Sequence, residues 1–274
     1  MFQSTRSGRA ALYLADIDGS RPRLWLDSGV APASPAWSPD GKSIAFADQV
    51  DGDSEIFVMA VDGRVPKRLT AIRADDAHPA WSADSRRIFF SSNRHTKDQA
   101  VDFYDQIHDI FSMDRNGTDL RQHTDCRAVC TYPTPSPDGA WLAYRKLLAR
   151  PGNRWNQSLM GFDSEVMVSA TDGSAARTLS NHPAFDGWPA WSPDGRWIAF
   201  ASNRAGRVNS GQIYLIRPDG SDLAVLTSGE WSNTQPRWAA DSTVVFSYRH
   251  RATADLEVGA IGITRLLAED TAVP

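Results

Sequence analysis

A short proline-initiated phrase recurs five times along this chain, and no other feature of the sequence limits the possible folds as much. Its best-preserved copies, both Pro-Ala-Trp-Ser-Pro-Asp-Gly, begin at Pro35 and Pro189. More divergent copies begin at Pro79, Pro133 and Pro236, so successive copies start 44, 54, 56 and 47 residues apart. Self-similarity with a period of this size is typical of stacked or radially repeated units. We therefore expect the 274 residues to form one array of similar modules.

Each repeat unit contains four short apolar or alternating runs. In the unit that begins at Pro189 the runs are PAWS, WIAFAS, QIYLIR and LAVLT. Runs of this length that are rich in Ile, Val, Tyr, Phe and Trp predict β-strands. Pro-Asp-Gly separates the first run from the second, and Asp-Gly or Asn-Gly separates the third from the fourth; both are tight-turn signals. Four antiparallel strands per unit, repeated radially, predict an all-β fold of the β-propeller type.

The number of units predicts the number of blades. Five units have a recognisable start, near residues 35, 79, 133, 189 and 236, and residues 1–30 match the second half of a unit. The prediction is a single domain over residues 1–274, a six-bladed β-propeller of four-stranded antiparallel blades. The blade shared by the two termini would be incomplete or closed by the C-terminal tail. We expect the first-strand tryptophans to pack between neighbouring blades, since they are large and flat; they are Trp37, Trp81, Trp191 and Trp238.

Several motifs resemble those of one known family. They are PAWSPDG, SNR at Ser92 and Ser202, EIFVMAVDG from Glu55, QIYLIRPDG from Gln212, and KRLT from Lys67. Together they run through essentially the whole chain and resemble the propeller domain of the TolB-like, WD-repeat-related β-propeller family. The resemblance implies the propeller fold. It leaves the function open, because folds of this kind host many unrelated tasks.

Composition and charge argue against some classes of partner. The net charge is −4 and the isoelectric point is about 5.9, whereas nucleic-acid binders usually carry a basic face. No stretch approaches the roughly 18 consecutive apolar residues that a membrane helix requires, so no membrane span is expected. The chain is expected to be a monomer. It would be cytoplasmic if Met1 is the native start, and periplasmic or secreted if an upstream signal peptide has been removed.

The candidate site lies on the face of the propeller that carries the longer, more variable connections, because loops on a rigid scaffold commonly carry binding. The residue before each repeat proline is predicted to lie at the mouth of the central channel on this face; in chain order these residues are Ser34, His78, Tyr132, Trp188 and Gln235. Two positions earlier stand Asp76, Asp186 and Asn233. The exits of the second strands add Arg94, Arg145, Arg204 and Arg249.

Each of these residues also has a purely structural interpretation. The arginines would pair with the acidic residue that opens the third strand, namely Asp109 for Arg94 and Glu165 for Arg145. His78 would be a polar loop residue, and Trp188 a packing aromatic. Two long loops, residues 93–109 and 145–163, are expected to rise side by side on the same face, either as a wall of a cleft or as idle insertions.

The sequence contains few signs of catalytic chemistry. It has no Gly-x-Ser-x-Gly, no His-Glu-x-x-His, no phosphate-binding glycine loop and no dinucleotide fingerprint. His123, Cys126 and Cys130 lie within eight residues, but their spacing matches no common zinc module, so we expect no metal and no cofactor. The default interpretation of the two cysteines is a pair of free thiols in a surface loop; the alternative is a disulfide, which requires an oxidising compartment.

Two classes of function remain. The leading hypothesis is a non-enzymatic module that binds a protein or peptide partner, or a small polar ligand, through the loop face and the channel mouth. The alternative is a small enzyme, a lyase, an isomerase or a glycan-acting hydrolase, whose acid, base and stacking groups come from the same residues. A deep pocket that joins His78, an aspartate and an arginine would favour the enzyme, and a shallow apolar rim would favour the binding module.

Overall fold

A computed structural model of the chain describes residues 1–16, 19–63, 65–148, 163–205, 210–229, 231–239, 242–249 and 256–262. The strands in these ranges form six small antiparallel sheets, and each sheet is built from strands that are consecutive in the sequence. Consecutive antiparallel strands joined by short turns are what the repeat predicted. The first strands of neighbouring sheets contact one another in chain order, so the sheets are arranged around a common centre as blades.

The first two sheets are formed by the N-terminal part of the chain. The first has three strands, β1 (Phe2–Ser4), β2 (Ala11–Leu14) and β3 (Arg23–Leu26). The second has four strands, β4 (Ala33–Trp37), β5 (Ser43–Val50), β6 (Asp53–Ala60) and β7 (Lys67–Arg68). In this sheet the repeat phrase provides the innermost strand, and a two-residue strand lies at the outer edge.

Three further four-stranded sheets continue this pattern, and a three-stranded sheet follows them. One unit comprises β8 (Asp76–Trp81), β9 (Arg87–Ser92), β10 (Asp109–Asp114) and β11 (Arg121–Gln122). The next comprises β12 (Cys130–Pro135), β13 (Trp141–Leu147), β14 (Ser164–Ala170) and β15 (Arg177–Thr178). The last four-stranded unit comprises β16 (Asp186–Trp191), β17 (Ile198–Ser202), β18 (Gln212–Ile216) and β19 (Ala224–Val225). The three-stranded sheet comprises β20 (Ser232–Trp238), β21 (Thr243–Arg249) and β22 (Leu256–Gly262).

The all-β propeller architecture with antiparallel blades is therefore confirmed, but the predicted count of six blades is not reached. Five sheets contain the proline-bearing inner strand, namely those built on β4, β8, β12, β16 and β20. The sheet of β1 to β3 has no inner strand within the described residues, because the repeat phrase begins only at Pro35. Helical structure in the described ranges is limited to a three-residue 3₁₀ segment, Phe103–Asp105. None of it has the length and apolar composition needed to cross a bilayer.

The turns between first and second strands share one hydrogen-bonded design. In the first complete blade the Ser38 Oγ donates to an Asp40 carboxylate oxygen at 2.5 Å and accepts from the backbone N–H of Ser43 at 2.9 Å. Serine and aspartate at the same spacing form the equivalent contacts in the next three complete blades. The Ser-Pro-Asp-Gly phrase therefore closes the turn by itself, which explains why it recurs.

The hydrophobic core is divided among the interfaces between blades. One cluster, for example, combines Ile56 of the first complete blade with Ile88, Phe90 and Phe111 of the second, and all four are at most 3% exposed. The first-strand tryptophans cover these interfaces and add a hydrogen bond across them. Three of the four donate the Nε1–H to a backbone carbonyl of a preceding blade: Trp81 to Ala36 (3.0 Å), Trp191 to Thr134 (3.1 Å) and Trp238 to Ala190 (2.9 Å). The predicted equivalence is confirmed for these three.

Two positions depart from this tryptophan pattern. The third complete blade has Pro135 in the place of the tryptophan, so it cannot donate an equivalent bond. Trp37 is 41% exposed, compared with 7% for Trp81 and 8% for Trp191. Trp37 belongs to the blade that follows the three-stranded sheet of β1 to β3, and that sheet has no described inner strand to receive it. The prediction that all four tryptophans pack between blades is therefore correct for three of them.

Candidate functional site

The residues before the repeat prolines occupy one geometric position in all five inner strands. Each has a left-handed backbone, with φ between 50° and 55°, and each lies where the register between first and second strands shifts by a β-bulge. A non-glycine residue with positive φ is uncommon, and five at equivalent positions indicate a designed feature of the blade. We call this set the bulge ring; its members are Ser34, His78, Tyr132, Trp188 and Gln235.

The middle three members of the bulge ring touch one another across blade boundaries. The ring centroids of His78 and Tyr132 are 3.8 Å apart, and those of Tyr132 and Trp188 are 5.9 Å apart in an edge-on arrangement. Trp188 also packs on Phe185 at 4.8 Å and is only 2% exposed. Three adjacent blades therefore contribute to one continuous aromatic wall. Gln235 at the end of the series is exposed, and Ser34 is half-buried.

The electrostatics of His78 fix its protonation state. Burial, and then the charges of Arg145, His108 and Arg237, lower the pKa of His78 well below its ordinary value of 6.5, so the imidazole is neutral at pH 7. The Ser91 Oγ donates to the backbone carbonyl of Ala77 at 3.1 Å and lies 2.8 Å from the His78 Nδ1. The Ser91 hydroxyl therefore holds the Nδ1 edge of the imidazole.

Arg145 contributes to this wall, although its position was predicted wrongly. It lies inside β13, paired with Thr131, and not at the exit of the strand. Its guanidinium stacks over the rings of Tyr132 (4.8 Å) and Phe185 (5.8 Å), and its Nε donates to the Thr131 Oγ1 at 3.1 Å. Gly187 of the next blade makes room for it, because a Cβ there would lie 3.0 Å from the Arg145 Cδ. Arg145 is 6% exposed and is a buried cation behind the aromatic wall.

A second cation, Arg237, was missed by the sequence analysis. It occupies the position after the repeat proline in β20, where the other four inner strands have Ala36, Ala80, Thr134 and Ala190. Its side chain is exposed, yet surrounding protein lowers its pKa by desolvation, with the charge of Tyr132 opposing that decrease. Its guanidinium donates to the carbonyl of Pro236 at 3.0 Å. The sequence itself could have revealed Arg237, because it is the only large charged residue at a repeat position that otherwise has small side chains.

The predicted aspartates and two of the predicted arginines are paired with each other. Arg94 Nη2 lies 3.1 Å from both carboxylate oxygens of Asp76, and Arg204 Nη2 lies 2.8 Å from Asp186 Oδ2. Both aspartates are fully buried, and burial raises their pKa values against the opposing charge of the arginines. The prediction that Arg94 pairs with Asp109 is therefore wrong. These pairs join the first strand to the exit of the second strand and provide structural support.

Asp109 has other partners in the same blade. It accepts hydrogen bonds from the Thr124 hydroxyl at 2.9 Å and from the Cys126 backbone N–H at 2.7 Å. Glu165 in the next blade likewise accepts from Ser180 at 2.5 Å and from the His182 N–H at 3.0 Å, so its predicted pairing with Arg145 is replaced by contacts to the fourth strand. The acidic residues that open the third strands therefore hold the outer strands of the blades.

Some predicted features fall partly or wholly outside the described residues. Arg249 lies in β21, but its side chain is not described. The loop of residues 145–163 is described only up to residue 148 and again from residue 163, so the wall it was predicted to build with the loop of residues 93–109 stays a prediction. In that other loop, Phe103 is 37% exposed and its ring lies 5.0 Å from that of His108.

The cysteine prediction is corrected by the structure. Cys126 and Cys130 form a disulfide, and Cys130 is fully buried, so the default interpretation of two free thiols in a surface loop is wrong. His123 does not join them in a zinc site, because its Nε2 lies 2.7 Å from the Ser112 Oγ and its Nδ1 lies 2.6 Å from the Thr171 carbonyl. Both ring nitrogens of His123 are therefore used within the fold.

Comparisons with known proteins agree with this architecture. The family model of the TolB beta propeller domain matches residues 1–103. A Tol-Pal system protein TolB from Syntrophus aciditrophicus is 32% identical over 81 residues, a match that covers 30% of this chain and 16% of that protein. An uncharacterized peptidase, YuxL, from Bacillus subtilis is 32% identical over 113 residues, which covers 40% of this chain and 16% of the peptidase. Each match takes in less than one fifth of the relative's own length.

A solved structure extends the likeness over most of the chain. The structure of a putative TolB from Agrobacterium tumefaciens superimposes with a TM-score of 0.69 at 20% sequence identity, and covers 89% of this chain and 81% of that one. At this level of identity the likeness concerns the fold alone. The repeated motifs, the family model and the superposition agree with one another, and we conclude that the chain carries a TolB-like β-propeller domain.

Proposed function

We propose that this propeller is a binding module for a protein or peptide partner, and that the partner contacts the channel mouth and the loop face. The observation that supports this most directly is the bulge ring. Its five members share one backbone geometry, but their side chains all differ, and the half-buried rings of His78 and Tyr132 stack beside the buried Trp188. Aromatic residues are enriched at the energetic centres of protein interfaces, because they bury a large area with few rotatable bonds.

The alternative, a small enzyme at the same place, has less support. Asp76 and Asp186, the carboxylates it would use, are buried and held by Arg94 and Arg204, so neither is free to act as an acid or base. His78 has an available Nε2, but its lowered pKa makes it a poor base. One relative is a peptidase by name and another is a TolB protein, and each match is confined to less than half of this chain. The binding role is therefore preferred.

Photo-crosslinking tests the location of the partner contact. A benzophenone amino acid replaces Gln235, which is exposed in the bulge ring, or Trp141, which is 37% exposed and follows the Pro-Asp-Gly turn on the opposite face. After irradiation in cells, mass spectrometry identifies the crosslinked proteins. The proposal expects one dominant partner from the Gln235 variant and none from the Trp141 variant. Crosslinks from the Trp141 variant alone would refute the proposed face.

We further propose that the sheet of β1 to β3 is the outer part of a sixth blade in a single monomeric domain. Three contacts support this arrangement: β1 and β2 contact β4, and the Trp25 Nε1 donates to the Val61 carbonyl at 3.2 Å. Arg6 also repeats the geometry of Arg94 and Arg204, with its Nε 3.2 Å from Ser4 Oγ and its guanidinium over Phe2 and Tyr13. An experimental structure with a ring closed by five blades would contradict it, as would a dimer in sedimentation.

A further inference from the structure

We propose that the bulge ring and Arg237 form a binding site for a carboxylate, and that the peptide partner is held through its C-terminal carboxylate or an acidic side chain. This inference rests on the proposed binding role and names the chemical group that the site recognises. It depends on three observations: an exposed cation with no acidic partner, a set of polar groups without hydrogen-bond partners, and an aromatic wall beside them.

The first observation concerns the charge of Arg237. Among the described residues no carboxylate lies within ion-pair distance of its guanidinium, whose one hydrogen bond there goes to the backbone carbonyl of Pro236. Arg94 and Arg204, in contrast, are neutralised by Asp76 and Asp186. A guanidinium has five N–H donors in a planar fork that matches a carboxylate in bidentate fashion. Most of these donors are therefore available to a ligand.

The second observation concerns the aromatic members of the bulge ring. Within the described part of the chain, neither the Tyr132 hydroxyl nor the His78 Nε2 has a hydrogen-bond partner, and the Trp188 Nε1 is buried without one. An unsatisfied buried N–H destabilises the fold, so its retention calls for an explanation such as a ligand. Tyr132 and Trp188 can both donate, which adds to the donors of Arg237 and favours an anionic acceptor.

The third observation is the proximity of these groups to one another. Arg237 lies on β20 two residues after Gln235 of the bulge ring, and β20 contacts β16, the inner strand that carries Trp188. Arg145 behind the Tyr132 ring adds a second positive charge at 4.8 Å from its centroid. An aromatic wall beside the Arg237 guanidinium suits a carboxylate joined to an apolar group.

Benzoate and benzamide test the carboxylate directly, because they differ in charge and share the same ring. Titration of the full chain, followed by calorimetry or by tryptophan fluorescence, should detect benzoate binding and little or no benzamide binding. Arg237→Gln should weaken benzoate at least tenfold, whereas Arg196→Gln, a change of an exposed arginine on the turn face, should leave it unchanged. Equal binding of the two probes, or equal affinity in the Arg237→Gln variant, would overturn the proposal.

A heptapeptide library distinguishes the source of the carboxylate and separates the two proposals. The library is offered with free C-termini and again with amidated C-termini, and the retained peptides are identified by mass spectrometry. Retention only of free C-termini assigns the terminal carboxylate, and retention of amidated peptides rich in Asp or Glu assigns an acidic side chain. Peptides retained without either preference would refute the carboxylate site but keep the binding module. Binding of benzoate with no peptide retained would keep the carboxylate site and refute the peptide partner.

Discussion

A first-strand tryptophan contributes to the interface between blades through both its area and its indole N–H. Trp191 is 8% exposed and donates to the Thr134 carbonyl, so Trp191→Ala removes a buried ring and leaves that carbonyl without its partner. We expect the free energy of unfolding to fall by about 3–5 kcal/mol, the range for truncating a large buried aromatic side chain. Urea denaturation measures this change in the free energy of unfolding. Trp37→Ala, at a residue that is 41% exposed, is the matched control and should cost far less. Equal losses would contradict the interface role.

Histidine burial predicts a pH dependence of stability. Burial and the charge of Arg145 lower the pKa of His108 to about 4, from an ordinary value of 6.5. Because the folded pKa is the lower one, the unfolded chain takes up the proton first as the pH falls below 6.5, and the folded state loses stability down to about pH 4. The loss should approach about 3 kcal/mol for this group. Urea denaturation at pH 7.5 and pH 4 should show a smaller difference for His108→Gln than for the unmodified protein; an unchanged difference would contradict the assignment.

At the scale of the element, the disulfide stabilises the entry to the third complete blade. It closes a loop between Cys126 and Cys130, immediately before and at the start of β12. Changing both residues to alanine should reduce the free energy of unfolding by about 2 kcal/mol, from the entropy of a loop this short. A reducing agent should lower the stability of the unmodified protein by a similar amount and have no effect on the double variant. Labelling by a thiol reagent of the native, unreduced protein would contradict the disulfide.

The elements themselves could be predicted from the sequence, because the signals for them are local. Apolar runs and Asp-Gly or Pro-Asp-Gly turns determine where a chain extends and reverses, and these signals fixed the blades and their antiparallel order. Which acidic residue pairs with which arginine within a blade could not be predicted in the same way. Ser92 is opposite both Asp76 and Asp109, one on each side of its strand, so the sequence alone does not decide which acid Arg94 meets.

The candidate site was predictable in its positions and only partly in its chemistry. The residue before each repeat proline was identified as one ring from the constant proline, and the shared left-handed bulge supports that equivalence. The stacking of His78 on Tyr132 depends on distances between blades that are more than 50 residues apart in sequence, which no local pattern encodes. The position of Arg145 was wrong because Arg145 pairs with Thr131 as Ser91 pairs with Ala77, so it lies inside its strand and not at the later position that Arg94 occupies after the strand end.

The whole molecule has two faces that differ in how much variation they allow. The turn face is committed to short Pro-Asp-Gly and Asp-Gly turns whose side chains are used in closing the turn, as Ser38 and Asp40 show. Some of its glycines admit no larger residue. Gly173 has φ of 86°, and a Cβ there would lie 2.5 Å from the His123 carbonyl oxygen. Variation is therefore restricted to the loop face and the channel mouth, where the bulge ring has five different side chains on one backbone geometry.

This asymmetry predicts which surface a partner contacts. For the partner identified by crosslinking, the double change His78→Ala and Gln235→Ala should raise the dissociation constant roughly tenfold or more, a loss of about 1.4 kcal/mol or greater. The matched control is Lys42→Ala with Arg196→Ala, two exposed cations beside turns on the opposite face, and it should leave the constant unchanged. Both variants should keep the thermal midpoint of the unmodified protein to within a few degrees, because none of the four residues is a member of a buried hydrophobic cluster. Calorimetric titration measures the constants. Loss of binding only in the turn-face variant would mean that the opposite face carries the function, because the two variants differ in location and in little else.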